Sequence, residues 1–467
     1  MILMKFGGSS VKDAEAVDRV SEIIAGRRDE APIVVVSAMG GTTDDLEEIL
    51  ETLGRGEVKE ARSIAGDLGE RHREIASKIL PEGPLRSEAL GVLEEHEETL
   101  DRYIEGISCL GEVSPRSRDA VLSLGELISS ALMTRFLRSR SVEAAWVDPR
   151  GAVVTDGEHT IASPRLEETR RACREAFAPI LSEGIVPVTG GFVGASDENA
   201  TTTLGRGGSD LSASLIAAAV GADRIEFWKD VDGILTADPR IVPGARPVSS
   251  LTFRETAEIA FLGARVLHPS SIQPAVRERI PVRVLNSYRP DAPGTEIRAT
   301  GPSCGKIAGP RGAVAAIAYK RGQILLNVHS NRMLGASGFL KTVFEVFDRL
   351  RIPVDHIATS EVNVTVTMAP SRSLDRLRED LGTIARVEVI DNAGIVSVVG
   401  ENLARTPGVA SRVFAALDTL NVTLITYGGS GVNLSLALAD PDVPRAVSRL
   451  HEELIGPADA LETEVEG

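Results

Sequence analysis

Short β-branched strands alternate with helical segments along roughly the first 300 residues, and this most restricts the fold. Ile2–Phe6 is a short buried strand. The segment after it, from Lys12 to about Arg27, places Ala16, Val17, Val20, Ile23 and Ile24 on one helical face. Ile33–Val36 is a second strand, and charge-rich helical sequence fills Asp44–Ile107. Strands recur at Ala144–Val147, Val186–Thr189, Arg224–Trp228 and Val282–Val284, with helical patterns between them. That order predicts an α/β domain built on a mainly parallel sheet.

Between Pro290 and Gly312 the composition shifts to proline and glycine, which predicts a linker. Shorter units follow, in the order strand (Ile324–His329), helix (Gly338–Leu350), strand (Val354–Ala358), strand (Asn363–Met368), helix (Leu374–Leu381). The same order returns from Ile395 to Glu453, an internal repeat of about 70 residues. Both units follow a ββ-and-helix order like half of a ferredoxin-like fold. The stretch Ala313–Tyr319 is expected to pack with the second half.

The 467 residues carry a formal net charge of −16, which leaves no electrostatic footprint for nucleic acid. Cys109, Cys173 and Cys304 are scattered and odd in number, so neither a disulfide framework nor a zinc site is expected. A reducing cytoplasm suits them. No signal peptide and no run of about 18 apolar residues is read, so no membrane partner is expected.

Three loops carry candidate chemistry. Lys5-Phe6-Gly7-Gly8-Ser9-Ser10 joins a strand to a helix. Its glycines let backbone N–H groups approach an anion, and Lys5 adds a point charge. Alone, such a loop is equally a tight turn. Gly205-Arg206-Gly207-Gly208-Ser209-Asp210 opens an apolar helix. An arginine there suits a carboxylate, while Asp210 also reads as a helix cap. Trp228-Lys229-Asp230 through Arg240 follows a strand, where open α/β sheets hold ligands.

There is no GxxxxGK[ST] and no GxGxxG, so neither a P-loop nor a dinucleotide fold is indicated. The seven histidines show no pairing with a nucleophile. Phosphoryl transfer needs none: it works by aligning anions and neutralising their charge.

Taken together and in order, KFGGSSV from Lys5, VVVSAMGGTTDDL from Val34, LSLGELIS from Leu122, TTTLGRGGSD from Thr201, FWKDVDGILTADPR from Phe227 and GARVLHP from Gly263 resemble the aspartate kinases of the amino-acid kinase superfamily. The repeat resembles their paired ACT domains. The resemblance implies a three-layer α/β/α sandwich with a mainly parallel sheet, followed by two ferredoxin-like βαββαβ ACT units. It sets the catalytic domain at residues 1–295, a linker at 296–312 and the ACT units at 313–392 and 393–460. The implied reaction is ATP plus L-aspartate to ADP plus 4-phospho-L-aspartate, the first step toward lysine, threonine and methionine. Magnesium is implied only as Mg-ATP, with no tightly bound protein metal site.

Carried over by resemblance, Lys5, Gly7, Gly8 and Ser9 hold the transferring phosphate. Ser37 and Thr43 belong to the aspartate pocket, and Glu126 binds the substrate ammonium. Arg206 grips a substrate carboxylate and Asp210 orders the catalytic network. Lys229, Asp230, Leu235, Arg240 and Arg265 line the nucleotide side. Leu235 stands where some members have Tyr, and Arg265 where many have Lys. In the first ACT unit, Met333, Ala336, Gly338, Phe339, Leu340, Asp355, Ser360 and Glu361 are the implied effector contacts. Lysine is the favoured effector over threonine, although Ala336 replaces a Ser of some lysine-binding relatives. A homodimer or higher assembly through the ACT units is implied. Two alternatives stay open: another carboxylate kinase of the superfamily, and an amino-acid-sensing protein with an inactive kinase domain.

Overall fold

A computed structural model of the chain describes residues 1–263, 266–299, 313–334 and 337–456. The described chain forms two compact units. The first contains Met1–Ile234 and the segment from Val266 to Ala299; the second contains 235–263 and the described residues from 313 onward. These units follow a different line from the segments read in the sequence, because 235–263 groups with the C-terminal region.

In the first unit, seven strands lie in the order Ala144–Val147, Val186–Gly190, Pro32–Val36, Ile2–Phe6, Arg224–Lys229, Val282–Asn286 and Thr295–Arg298. The first six are parallel and the last is antiparallel. Ile2–Phe6 is central, and the chain leaves it toward both sides. Strand side chains alternate between faces. Ile2, Met4 and Phe6 therefore join the core formed with helices Ala14–Ala25, Thr42–Gly54, Val58–Ile79, Pro84–Leu110 and Pro115–Ser139. Lys5 projects to the opposite face, where helix Gly208–Val220 packs on the same strand. Burying an apolar strand on both faces is the usual state of a parallel sheet.

Among the described residues, helix Pro115–Ser139 has the length and apolar composition of a membrane span. Its apolar window is 89% buried inside the fold, packed against the sheet. Its apolarity serves the core.

The second unit contains one six-stranded sheet in the order His356–Thr359, Asn363–Met368, Ala316–His329, Arg386–Val399, Asn433–Ala439 and Val422–Tyr427. The two halves of the repeat share it through two 14-residue strands, Ala316–His329 and Arg386–Val399, paired antiparallel. Their ladder is irregular between Lys320 and Leu325, where the two halves join. Val314 and Ile317 lie in the core of the second half, with Val396, Val409 and Leu450. The first half has its own core around Leu326, Val343, Phe347 and Val366. Ala237 of the 235–263 segment is buried in the second half's core.

Candidate active site

A cavity of about 420 Å³ opens at the carboxyl ends of the central strands. Lys5 lies at the end of the first strand and is 4% exposed. Its Nζ pairs with Asp210 Oδ1 at 2.6 Å. Lys229 Nζ, at the end of the neighbouring strand, pairs with Asp210 Oδ2 at 2.8 Å. One carboxylate thus fixes two ammonium groups. Burial pushes Lys5 below the usual lysine range, more than Asp210 draws it back up, and Lys229 adds to the fall. Burial alone would raise Asp210, but the two lysines outweigh it and hold the carboxylate below its ordinary value. The pair of cations with a single anion leaves one net positive charge for an arriving phosphate.

Glu126, on helix Pro115–Ser139, lines the same cavity and is 4% exposed. Its Oε2 is buried without a hydrogen-bond partner among the described residues, and its Oε1 accepts a long contact from Ser209 Oγ at 3.5 Å. Burial pushes its pKa up to about 7, against the Ala38 backbone N–H, Lys5 and Ser209. A buried carboxylate with a free oxygen is suited to an ammonium group brought by a ligand.

The sources of anion donors differ from the sequence expectation. The loop after Phe6 does not run straight into an α-helix: a 3₁₀ turn, Gly8–Val11, intervenes. Helix Ala14–Ala25 is capped by Asp13, whose Oδ1 accepts from Ala16 N–H at 2.8 Å. Its first turn is therefore already partly satisfied. Two other helices supply open N-termini. Thr42–Gly54 begins at Gly41 (φ 82°) and Gly208–Val220 begins at Gly207 (φ 75°), and neither cap residue offers a side-chain acceptor. Both line the cavity. Asp210 is consequently not the cap of its helix; it sits in the first turn and spends its carboxylate on the lysines. A side chain at Gly207 would also meet Ser271 Oγ at 2.6 Å.

Of the residues expected at a site, Lys5, Gly8, Ser9, Ser37, Thr43, Glu126 and Asp210 line this one cavity. Gly7 supports it from behind, donating its N–H to Trp228 O at 3.2 Å. Arg206 is exposed on the loop between the cavity-lining Gly205 and Gly207, with no ion pair among the described residues. Asp230 is exposed in the turn after Lys229. Leu235 and Arg240 belong to the second unit, where Arg240 Nη2 pairs with Asp238 Oδ2 at 2.6 Å. Arg265 and Ala336 lie outside the described residues.

In the second unit Gly338 (φ 90°) starts helix Phe339–Arg349 without a side-chain cap, and Phe339 and Leu340 form its first turn. Met333 packs against the core of that half. Ser360 and Glu361 are exposed between the strands His356–Thr359 and Asn363–Met368. Asp355 is already ion-paired with Lys320 at 2.5 Å.

Sequence reasoning missed Gly190, Gly191 and Phe192. Phe192 lines the cavity with φ 64°, an uncommon conformation for an aromatic residue. A Cβ on Gly190 would lie 3.0 Å from Glu126 Cβ, and one on Gly191 only 2.7 Å from Ser209 Cα. These glycines let Glu126 and Ser209 approach. The signal was present: a glycine pair directly after a strand, as at Lys5. Ser287 and Tyr288 were also missed. Their hydroxyls bind Ser10 Oγ (2.8 Å) and Ser9 O (2.8 Å), fixing the loop that holds Lys5.

The comparisons with known proteins agree with this geometry. Residues 1–286 match the Amino acid kinase family, and residues 396–454 match the ACT domain. A two-lysine centre at the strand ends of that fold, joined to an ACT sheet, defines a regulated small-molecule kinase. The chain is 39% identical to "Aspartokinase 2, chloroplastic" of Arabidopsis thaliana, over 96% of this chain and 83% of that protein. It is 36% identical to "Lysine-sensitive aspartokinase 3" of Escherichia coli (strain K12), over 97% and 99%. The crystal structure of E. coli aspartokinase III in complex with aspartate and ADP (R-state) superposes with a TM-score of 0.80 at 35% identity, covering 97% of this chain and 99% of that one. The chain belongs to the aspartokinase family.

Proposed function

We propose that the chain transfers the γ-phosphoryl group of ATP to the side-chain carboxylate of L-aspartate. The convergence of Lys5, Asp210 and Glu126 at one cavity, with Lys229 paired to Asp210, carries this reading. Glu126 receives the substrate α-ammonium, and Arg206 closes on a substrate carboxylate. The attacking carboxylate oxygen is already nucleophilic, so no general base is required. Lys5 and Lys229, held in place by Asp210, neutralise charge on the phosphoryl oxygens as the bond to ADP breaks. The first turns after Gly41 and Gly207 add backbone donors from Thr43, Asp44, Ser209 and Asp210, because the N–H groups of Thr42 and Gly208 are already taken by Met39 O and Gly205 O. A similar protein, E. coli aspartokinase III, is described with aspartate and ADP bound, which supports the substrate pair.

Among the described residues no group of three or more His, Cys, Asp or Glu is arranged to hold a metal ion. Magnesium is proposed only as the companion of ATP, where it would supply charge neutralisation. Lys229, Asp230, Leu235, Arg240 and Arg265 are assigned to the nucleotide on family resemblance.

Lysine is the proposed effector, at Met333, Ala336, Gly338, Phe339, Leu340, Asp355, Ser360 and Glu361. The open helix start at Gly338 suits an α-carboxylate, and Asp355 with Glu361 suits a side-chain ammonium. A homodimer through the ACT sheet is proposed, because the edge strands His356–Thr359 and Val422–Tyr427 expose Ile357, Ile425 and Tyr427. Cytoplasmic residence is proposed from the unpaired Cys109 and Cys173.

The deciding experiment is ADP release from Mg-ATP with L-aspartate, N-acetylglutamate or carbamate as acceptor. Turnover with aspartate alone is expected. Turnover with another acceptor, or none with lysine binding retained, would reject the assignment.

A further inference from the structure

Two neighbouring residues on one strand touch groups next to, or among, those that the proposed function assigns to two different ligands. Tyr319 and Lys320 lie on the long strand Ala316–His329 and so project to opposite faces of the sheet. Tyr319 Oη donates to Asp238 Oδ2 at 2.7 Å. The same carboxylate accepts from Arg240 Nε and Nη2 at 3.0 and 2.6 Å, and from the Arg240 backbone N–H at 2.9 Å. Asp238 is thus the pivot on which the Arg240 guanidinium rests, and Tyr319 holds that pivot. The segment is further tied to this strand by the Ile317 N–H donating to Thr236 O at 2.8 Å.

Lys320 turns the other way. Its Nζ pairs with Asp355 Oδ2 at 2.5 Å and lies 5.2 Å from the centroid of the Phe261 ring. Asp355 is nearly buried in this pair, with 8% of its side chain exposed. It is also the carboxylate assigned to the ammonium of a cationic effector. The protein therefore already places a lysine ammonium where the effector's ammonium would go. Directly after Lys320 the ladder with Arg386–Val399 becomes irregular, and Gly322 adopts φ 63°. The Tyr319-Lys320 pair sits at the joint between the two halves of the sheet, where a strand can shift without breaking a continuous ladder.

We propose that Lys320 is a built-in competitor for a cationic amino-acid effector at Asp355, and that Tyr319 is a positioning residue that sets Arg240 through Asp238. An effector ammonium that takes Asp355 releases Lys320. The freed strand joint draws Tyr319 from Asp238, and Arg240 loses its support. This deepens the proposed function and rests on its assignment of Asp355 to the effector and Arg240 to the nucleotide.

The test uses the full chain, steady-state kinetics in ATP at saturating aspartate, and calorimetric titration with L-lysine. Tyr319→Phe should raise the KM for ATP about tenfold with kcat within about twofold, the lower end of the scale for losing one hydrogen bond to a charged group. It should leave lysine binding unchanged while weakening the effect of lysine on the ATP KM. Lys320→Met should bind lysine about tenfold more tightly, and Lys320→Arg should restore the wild-type value, as expected when a competing charged pair is removed and then replaced. Lys320→Met binding lysine no better than wild type would overturn the competitor. A Tyr319→Phe enzyme with wild-type ATP KM, or with the loss in kcat alone, would overturn the Tyr319 link. Failure of the underlying reading looks different. Wild-type protein that neither binds lysine nor responds to it would reject the effector assignment, and the Tyr319 link would still stand or fall on the ATP KM.

Discussion

Glu126 should make aspartate binding depend on pH in a window where aspartate itself does not titrate. Its burial raises the pKa to about 7 in the free enzyme. Only the ionised form attracts the substrate ammonium, so affinity is full above that value and falls as pH drops below it. With one proton competing, the apparent KM scales as one plus the ratio of proton concentration to the acid constant. Between pH 8 and pH 6 the KM for aspartate should therefore rise about tenfold, since one pKa unit corresponds to a factor of ten. The KM for ATP should change much less. Glu126→Gln should abolish the slope, and at pH 8 it should raise the aspartate KM by about ten- to a hundredfold, the loss of one charged hydrogen bond. The stability sign is opposite. A carboxyl with a raised folded-state pKa holds its proton more tightly than the unfolded chain does. Its stability contribution is complete below the unfolded value near 4.5 and is lost as pH rises to about 7. The shift is worth about 3 kcal/mol at most. Glu126→Gln should thus melt higher than wild type at pH 8 and at nearly the same temperature at pH 4. A flat aspartate KM from pH 8 to 6 in the wild type, or an unchanged slope in the variant, would refute the reasoning.

Other substitutions test the rest of the site. Lys5→Ala and Arg206→Ala should each lower turnover about a hundredfold or more, the scale of removing one charge-stabilising donor; near-normal rates would mean the site is misplaced. Asp210→Asn leaves the Lys5 and Lys229 ammonium groups without their shared carboxylate, so kcat should fall as in Lys5→Ala while far-ultraviolet circular dichroism stays native; an unaltered kcat would separate Asp210 from catalysis. Gly191→Ala puts a methyl against Ser209; it should lower the melting temperature and raise the aspartate KM, and a neutral result would show that the loop can yield. Tyr288→Phe removes the anchor on Ser9 O and should cost about 1 kcal/mol of stability by chemical denaturation, with a smaller effect on KM.

How far the sequence reaches depends on what each feature requires. The parallel sheet was legible because a strand buried on both faces reads as an apolar run, as in Ile2–Phe6 and Ile33–Val36. The Lys5 and Gly205 loops were legible because both combine a glycine pair with a cation at a strand end or helix start, although the Lys5 loop by itself is equally a tight turn. The capping of helix Ala14–Ala25 was less so. Asp13 is an ordinary cap, and which helix keeps free N–H groups depends on what each first turn meets in space. The joined six-stranded sheet was also hidden, since Ala316–His329 reads as two short segments when its turn-prone Arg321 and Gly322 interrupt the apolar pattern.

From the Lys5 loop, the Gly205 loop and the repeat, the residues alone mark candidate anion-binding loops and their order along the chain, and the resemblance carried by the motifs together implies the chemistry. Local patterns of 2.0 and 3.6 residues and short glycine turns need only neighbours in sequence. Tertiary structure decided the charge state and partnership of those residues. Asp210 became a bridge between two lysines, Glu126 a buried acid and Asp355 the partner of the chain's own Lys320. Such properties come from burial and from contacts between residues tens to hundreds of positions apart, which no local pattern encodes.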